Sequence, residues 1–378
     1  MVTDAEHNPA SCKRFVNLVL DADITVAAMQ FFGMENMTDL PTKHIFGPDN
    51  NKQARVVRML YLHRVLREFV LTYIIDGSLY EKHFRNFQAL QDWEQTQDNQ
   101  PVLCDGRYPC RSPGCTRSFK YDGVHRRRHE LTHNPPPHIP EEPQFANAML
   151  NITEPNSEGK DDVYDYHCGF MNMALLLRNF TDANREGDGD RLIQCIKIFL
   201  LHFRQDGTGS QKYALEALYH QFQLKAMLTP REAERVKWNR TVNNKGGEGN
   251  NVAMDLDLEH DNHLLKEMIR GLGANMSEES VKRVSRAFFV LKELFERLDK
   301  EMHVKKESGE HTRKSVQQDF KVIVHTLIEH NVFLKQSRDP QSYFVDCPRD
   351  YLQLLDTKAL YKWINDHKKN ISLDKRPR

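Results

Sequence analysis

Apolar residues recur about every three or four positions through most of the chain, the spacing that places them on one face of an α-helix. In the segment 52–75, Val56, Leu60, Phe69 and Ile74 follow this spacing. The pattern predicts helices at 11–32, 52–75 and 79–96 in the N-terminal part of the chain. In the second half it predicts helices at 163–180, 191–204, 213–228, 255–270, 277–302, 312–334 and 350–365, and a short helix that Thr229 caps.

One segment fits two kinds of structure. Residues 16–20, followed by Asp21, would also suit a strand that ends in a carboxylate, but the apolar period continues to Phe32 and favours a helix. Strands are expected only within 104–133. The segment 241–251, rich in glycine and asparagine, is predicted to be a loop. The fold is therefore expected to be mainly α.

Cysteines and histidines mark the segment between the two helical regions. Cys110, Cys115, His129 and His133 follow the pattern C-x4-C-x13-H-x3-H. In this pattern two thiolates from a β-hairpin and two imidazoles one helical turn apart meet at tetrahedral geometry, as in a C2H2 zinc finger. We predict that these four side chains bind one Zn²⁺. A domain this short usually cannot fold without such a staple.

The residues around the four ligands also suit a ββα module. Tyr108 and Phe119 stand where such a module has its small apolar core, and Asp122 is placed to cap the helix. Cys104 and His138 lie outside the spacing and are not predicted to be ligands.

Two features depart from the commonest finger pattern. The loop between the second cysteine and the first histidine is one residue longer, and Arg126 occupies a position that is usually apolar. We expect Val124 or His125 to fill that position instead. His125 also lies one turn before His129, but the pair His125 and His129 would leave too few residues for a strand and a helical turn. His129 and His133 are therefore preferred as ligands.

The helix of the module is basic, which suggests nucleic acid as a partner. If it docks in the major groove in the usual way, Asp122, His125 and Arg128 would face base edges. The side chains expected to meet phosphates are Lys120, Arg126 and Arg127. One finger covers only about 3 bp, so it cannot specify a genomic site unaided.

Composition narrows the class of protein. The 378 residues carry 53 basic and 53 acidic side chains, a net charge of zero, which argues against a surface that is basic throughout. Neither a signal peptide nor an uninterrupted apolar run long enough for a bilayer is evident, so no membrane partner is expected. The seven cysteines, an odd number in a long chain, do not suggest a disulfide framework. The reducing nucleus or cytosol is the expected location.

The start of the helix predicted at 255–270 is crowded with acids and histidines. They are Asp255, Asp257, Glu259, His260, Asp261 and His263. Pairs one turn apart would suit a divalent metal, but a solvated, negative first turn that favours the helix dipole is the preferred interpretation. The preceding loop 243–251 has three glycines but lacks the GK[ST] ending of a P-loop, so a flexible turn is favoured over a phosphate site.

Three stretches of the chain resemble a known family. They are DDVYDYHCGFMNMALLLRN at 161–179, KYALEAL at 212–218 and WNRTVNNKGGEGNNVAMDLDLEH at 238–260. With the single finger before them, they resemble an animal and fungal family catalogued as domain of unknown function 6589, over about residues 11–311. The resemblance implies a transposon-derived origin. If the family is a DDE-type nuclease, it also implies Glu259 as the last acid, with the earlier acids in an N-terminal half that is expected to precede this chain. One acid cannot assemble a two-metal site, so this chain alone is not expected to be a catalyst.

The expected architecture is mainly α, with helical domains flanking a small ββα C2H2 zinc finger. Its predicted parts are an N-terminal helical region at 11–97, the finger at 104–133, a Pro-rich and then acidic linker at 134–162, a helical domain at 163–366 and a basic tail at 367–378. The favoured function is a zinc-binding, non-catalytic protein, nuclear rather than cytoplasmic, that contacts DNA or RNA. The alternatives are a remnant of a transposase-like nuclease and a protein-interaction scaffold with a structural zinc.

Overall fold

The computed structural model is mainly helical, as predicted, and describes residues 9–45, 55–98, 103, 106–137, 143–144, 161–205, 210–244, 246–303, 316–336, 338 and 348–372. The α-helices among them are α1 Pro9–Phe32, α2 Arg55–Tyr73, α3 Gly77–Asp98, α4 Val124–Glu130, α5 Asp162–Glu186, α6 Gly189–Gln205, α7 Gln211–Phe222, α8 Pro230–Trp238, α9 Met254–Arg270, α10 Glu278–Glu301, α11 Val316–Glu329 and α12 Thr357–Ser372. The strands are β1 Tyr108–Pro109, β2 Ser118–Phe119, β3 Thr241–Val242 and β4 Val252–Ala253.

Helices from both halves of the chain share the first hydrophobic core. It is built by α1, α2, α5 and α11, and its buried members include Leu20, Val26, Phe31, Val65, Phe69, Tyr164, Met171, Val324 and Leu327. A polar pair crosses this core, because His167 Nδ1 lies 3.0 Å from Oδ1 of the fully buried Asp23. Burial raises the pKa of Asp23, and the hydrogen bond from His167 opposes that rise.

The second core joins the same two halves. It packs Leu79 of α3 against side chains of α6, α7, a 3-10 turn at Tyr351–Leu354 and α12, among them Leu200, Leu218, Leu352 and Leu360. Each core therefore contains residues from both of the predicted helical regions, 11–97 and 163–366. The cysteine-rich segment lies between α3 and α5 in the chain.

Local sequence explains where several helices begin and end. Thr229 forms a capping box with Glu232 at the start of α8, and Pro230 occupies the first helical position. Ser277 accepts a hydrogen bond from the backbone N–H of Ser280 at the start of α10, as its position predicted. Helix α5 ends at Gly187, whose φ of +73° is the left-handed conformation that glycine adopts without steric cost.

Three predicted elements differ from the structure. The helix predicted to run to residue 228 ends as α7 at Phe222 and continues as a π-helical turn, Gln223–Met227. The helix predicted at 350–365 divides into the 3-10 turn and α12. The segment predicted as a plain loop contains β3, which pairs with β4 in an antiparallel ladder. That pair is held against the end of α5, because Asn251 donates from its backbone and side-chain nitrogens to the carbonyl oxygen of Arg185.

Helix α1 has an unusually apolar composition. Among the described residues it is the helix whose length and mean hydropathy, 1.4 over its most apolar window, match those of a membrane span. Its apolar side chains are also the ones that fill the first core. A core helix passes the same test of length and hydropathy, so this match alone assigns no membrane role.

Candidate metal centre

A short hairpin and a helix carry the four predicted ligands. Strands β1 and β2 pair antiparallel with Tyr108 opposite Phe119, and the turn between them contains Cys110 and Cys115. The backbone N–H of Cys110 donates to the carbonyl oxygen of Arg117, which extends the hairpin. Helix α4 follows and carries His129, and His133 lies in the turn just after the helix.

The hairpin and the helix bring the four ligand atoms into one group. The Sγ of Cys110 lies 3.4 Å from Nε2 of His133, and the Sγ of Cys115 lies 3.3 Å from Nε2 of His129. The two Nε2 atoms are 3.2 Å apart, and all four ligand atoms lie within 4.8 Å of one another. A tetrahedral zinc ion would separate neighbouring sulfur and nitrogen ligands by roughly 3.3–3.8 Å. The donor set and its spacing therefore fit a metal ion, and Cys104 and His138 lie outside the described residues.

The surroundings of the ligands bear on their protonation. Burial raises the pKa of the Cys110 thiol. Desolvation, with a smaller contribution from the neighbouring His133, lowers the pKa of His129 and favours the neutral imidazole. The ring of Phe119 packs at 5.4 Å from that of His129. A neutral imidazole is the form that binds a metal, whereas a buried thiol needs a nearby positive charge, such as a metal ion, to lose its proton.

An ionic network occupies the interior of the module in place of an apolar core. Arg126 is only 1% exposed, and its guanidinium contacts Oε1 of Glu130 at 3.1 Å and Oδ1 of Asp122 at 3.2 Å. Arg111, from the hairpin, reaches the same two carboxylates at 2.7 and 3.1 Å. The guanidinium of Arg126 also lies over the ring of Tyr108. Two arginines and two carboxylates therefore balance each other and tie the hairpin to α4.

This network corrects three expectations from the sequence. Arg126 fills its own position, and Val124 and His125 are both exposed, so neither replaces it. Asp122 does not cap α4, because the N-cap is Gly123, which makes no side-chain capping hydrogen bond. Asp122 is instead held by arginines, and Arg126 is too deeply buried to meet a phosphate.

The network was missed because one of its members comes from a distant part of the module. A signal for the other three was present, since Asp122, Arg126 and Glu130 alternate in charge at spacings of four residues. The partner that completes the network, Arg111, follows the first cysteine ligand, and its role depends on how the hairpin packs on α4.

The family model for DUF6589, described as a family of unknown function, matches residues 7–311, most of the chain. The chain belongs to the DUF6589 family. The match includes the metal-ligand group and the glycine-rich loop between β3 and β4. No curated protein and no solved structure matches the chain.

The outer face of α4 in this DUF6589 chain is exposed and basic. His125, Arg127 and Arg128 are all exposed there, and Lys120 is exposed just before the helix. The apolar residues Val124 and Leu131 are exposed as well, one at each end of α4. Because Arg126 and Glu130 mark the inner face at a spacing of four residues, these side chains lie around the opposite side. Of the six residues that the sequence predicts to contact nucleic acid, four are therefore exposed, namely Lys120, His125, Arg127 and Arg128.

Glu259, the predicted acid of the DUF6589 chain, lies on the exposed side of α9. Among the described residues, three or more metal-type ligands come together in the Cys2His2 group. Glu259 is not a member of it. Asp257 instead accepts a hydrogen bond from Asn244 at 2.8 Å, and Asp261 forms an ion pair with Lys292 of α10. Two of the acids at the start of α9, Asp257 and Asp261, thus have local partners.

The glycine-rich loop between β3 and β4 is ordered by its own amides. Asn243 donates to the carbonyl oxygen of Gly247 at 2.7 Å, and Asn250 donates to that of Gly246 at 2.8 Å. Arg185 of α5 donates to the carbonyl oxygen of Gly249 at 3.3 Å. These contacts link the loop to the helical body.

Proposed function

We propose that this DUF6589 chain is a zinc-binding protein of the C2H2 finger type that contacts nucleic acid and has no catalytic activity of its own. The observation that carries the proposal is the convergence of Cys110, Cys115, His129 and His133 on a hairpin and a helix. Two thiolates and two imidazoles at this spacing suit Zn²⁺ better than the oxygen-seeking ions Mg²⁺ and Ca²⁺. When bound, the ion would fix the hairpin on α4.

The exposed cations of α4 support nucleic acid as the partner. His125 and Arg128 are available for base edges, and Lys120 and Arg127 for phosphates. Asp122 and Arg126 are not proposed to contact nucleic acid, because both form ion pairs within the internal network. Such a partner agrees with a nuclear location for the protein.

A specific observation favours a protein partner as the second candidate. Val124 and Leu131 are large apolar side chains exposed on the same outer face as the cations. A bound protein would cover them, and the metal would then act as a structural staple. A transposase-like nuclease remnant would need two further carboxylates beside Glu259, and the described residues bring none into a cluster with it.

Metal content and salt-dependent binding test the proposal together. Purified protein should contain one zinc per chain, and Cys115→Ser should lose it. Binding to a random duplex DNA and to a single-stranded RNA should weaken as salt rises, because each phosphate contact releases counterions. Arg127→Gln should lower the salt slope by about one, as expected for one lost phosphate contact. Arg231→Gln, an exposed arginine of α8, is the matched control and should leave the slope unchanged.

The outcomes separate the candidates. Zinc without salt-sensitive binding to DNA or RNA would refute the nucleic-acid partner and favour a protein partner on α4. Absence of zinc from the purified wild-type protein, even after refolding with Zn²⁺, would refute the proposal as a whole.

A further inference from the structure

A row of large apolar side chains lies exposed along α10 and at the first residue after it. Val290, Leu294, Leu298 and Met302 follow one another at spacings of four residues, and Phe295 stands beside them. Their exposed fractions range from 42% at Leu298 to 72% at Met302. Residues four apart form one ridge on a helix surface, so these side chains make a continuous apolar strip. We refer to these five residues as the α10 ridge.

Part of the ridge lies away from the side of α10 that contacts the neighbouring helix. Phe288, which is buried, lies on the inner side of α10, and Lys292, one turn later, forms its ion pair with Asp261 of α9. On a helix of 3.6 residues per turn, Val290 and Leu294 lie more than a quarter of a turn away from both Phe288 and Lys292, whereas Phe295 and Met302 lie on the side of Phe288, about two and four turns further along. All five side chains of the ridge are exposed in the described part of the chain, so α9 does not cover them.

The apolar area of the ridge is large enough for an interface. Its five side chains expose roughly 500 Å², near the upper end of the largest apolar patch on a typical monomer. Two such surfaces facing each other would bury about 1,000 Å² of apolar area before any polar rim is counted. Stable interfaces bury about 1,200–2,000 Å² in total. One further copy of the ridge therefore supplies most of the area that a dimer needs.

The charges beside the ridge are arranged for an antiparallel copy of the same helix. An antiparallel pairing centred on Leu294 places Val290 opposite Leu298 and brings Arg286 of one copy beside Glu301 of the other. It also brings Glu293 close to Arg297 of the other copy, and these two residues already pair within one helix. A parallel pairing would place each of these charges beside its own copy, which is unfavourable. The surface is therefore self-complementary in one orientation, as the interface of a twofold dimer requires.

We propose that the α10 ridge is a self-association surface through which two copies of the chain pair antiparallel. The inference does not depend on the proposed function of the metal centre, because α10 and the ββα module are separate in the chain. In a dimer, however, two modules would be carried together, which would double the length of nucleic acid that one finger covers.

The mass of the full chain in solution tests the pairing. Over roughly 1–100 µM, within the affinity range of interfaces of this size, light scattering should show a mass approaching twice the 44.3 kDa of one chain. Leu294→Glu and Leu298→Glu should each give the monomer mass, because a carboxylate would be buried without a partner. Leu60→Glu, at an exposed apolar position of α2, is the matched control and should leave the dimer intact. Circular dichroism should show the same helix content for all variants.

A charge-reversal pair makes the test independent of any loss of folding. Arg286→Glu should weaken the dimer about tenfold or more, and adding Glu301→Arg to it should restore the affinity to within about threefold. A wild-type protein that stays monomeric at about 100 µM would overturn the proposal and would mean that the ridge has a different partner. Failure of the second reversal to restore the dimer would overturn the antiparallel arrangement.

Discussion

The buried network of the ββα module makes a strong prediction for Glu130→Gln. The carboxylate of Glu130 is fully buried and is held by the backbone N–H of Arg111 at 3.0 Å, by the guanidinium of Arg111 at 2.7 Å and by Arg126 at 3.1 Å. With the amide in its place, two arginines face each other with Asp122 as their remaining counter-charge. The change removes a charge but leaves an oxygen that can still accept a hydrogen bond.

The size of the effect follows from the burial. Breaking a buried ion pair by removing one partner costs about 3–5 kcal/mol, and the remaining acceptor of Gln places this case near the lower value. A module of this size is expected to fold only with its metal, so the loss of folding free energy appears as a loss of metal affinity. Because about 1.4 kcal/mol corresponds to a factor of ten, we expect the dissociation constant for Zn²⁺ to rise roughly a hundredfold.

Competition with a chromophoric chelator measures this affinity directly. Arg127→Gln, one turn away on the exposed face of α4, is the matched control and should change the dissociation constant by less than about threefold. A Glu130→Gln variant with the affinity of the wild-type protein would refute the reasoning, since the network would then contribute nothing to the folded module. A loss in Arg127→Gln as large as in Glu130→Gln would refute it as well.

Three further predictions concern the helical body. Gly189→Ala should destabilise the protein by about 2 kcal/mol in urea unfolding, because the added Cβ would lie 2.5 Å from the carbonyl oxygen of Lys237. Gly271→Ala is the control and should cost less than about 1 kcal/mol, because its added Cβ has its nearest atom at 3.3 Å. Thr229→Ala should cost about 1 kcal/mol through loss of the capping box, and an unchanged urea midpoint would argue against that role. Burial lowers the pKa of His220 to about 4, below the value near 6.5 of the unfolded chain. The unfolded state therefore takes up a proton first, the free energy of unfolding should fall as the pH is lowered from 6.5 to 4, and His220→Gln should flatten that part of the profile.

Helix positions were predictable because they depend on local patterns. The apolar period identified α1, α2 and α3 to within a few residues, and the residue types at Thr229 and Pro230 marked the start of α8. The metal-ligand group was likewise predictable, since the spacing of its cysteines and histidines is itself the signal. The family membership followed from short stretches that the sequence carries in full.

Features that depend on distant partners were not predictable in the same way. The apolar period shows which face of α1 is buried, but it does not show that α11, almost at the other end of the chain, covers it. Strands β3 and β4 have two residues each, too few to show an alternating pattern, and the contact of Asn251 with Arg185 holds them in place. The burial of Arg126 likewise depends on Arg111, which lies on the other side of the module.

The shared cores have a consequence for how the chain folds during synthesis. Helix α1 is made before α11, because Val324 and Leu327 of α11, which pack in the same core, are about 300 residues further along. At about 5–20 residues per second, the ribosome needs roughly 15–60 s to reach them. During that time the most apolar helix of the described chain has an incomplete core around it. The nascent N-terminal helices are therefore natural clients for chaperones, and a chain released at residue 311, where the family match ends, would keep that apolar surface uncovered.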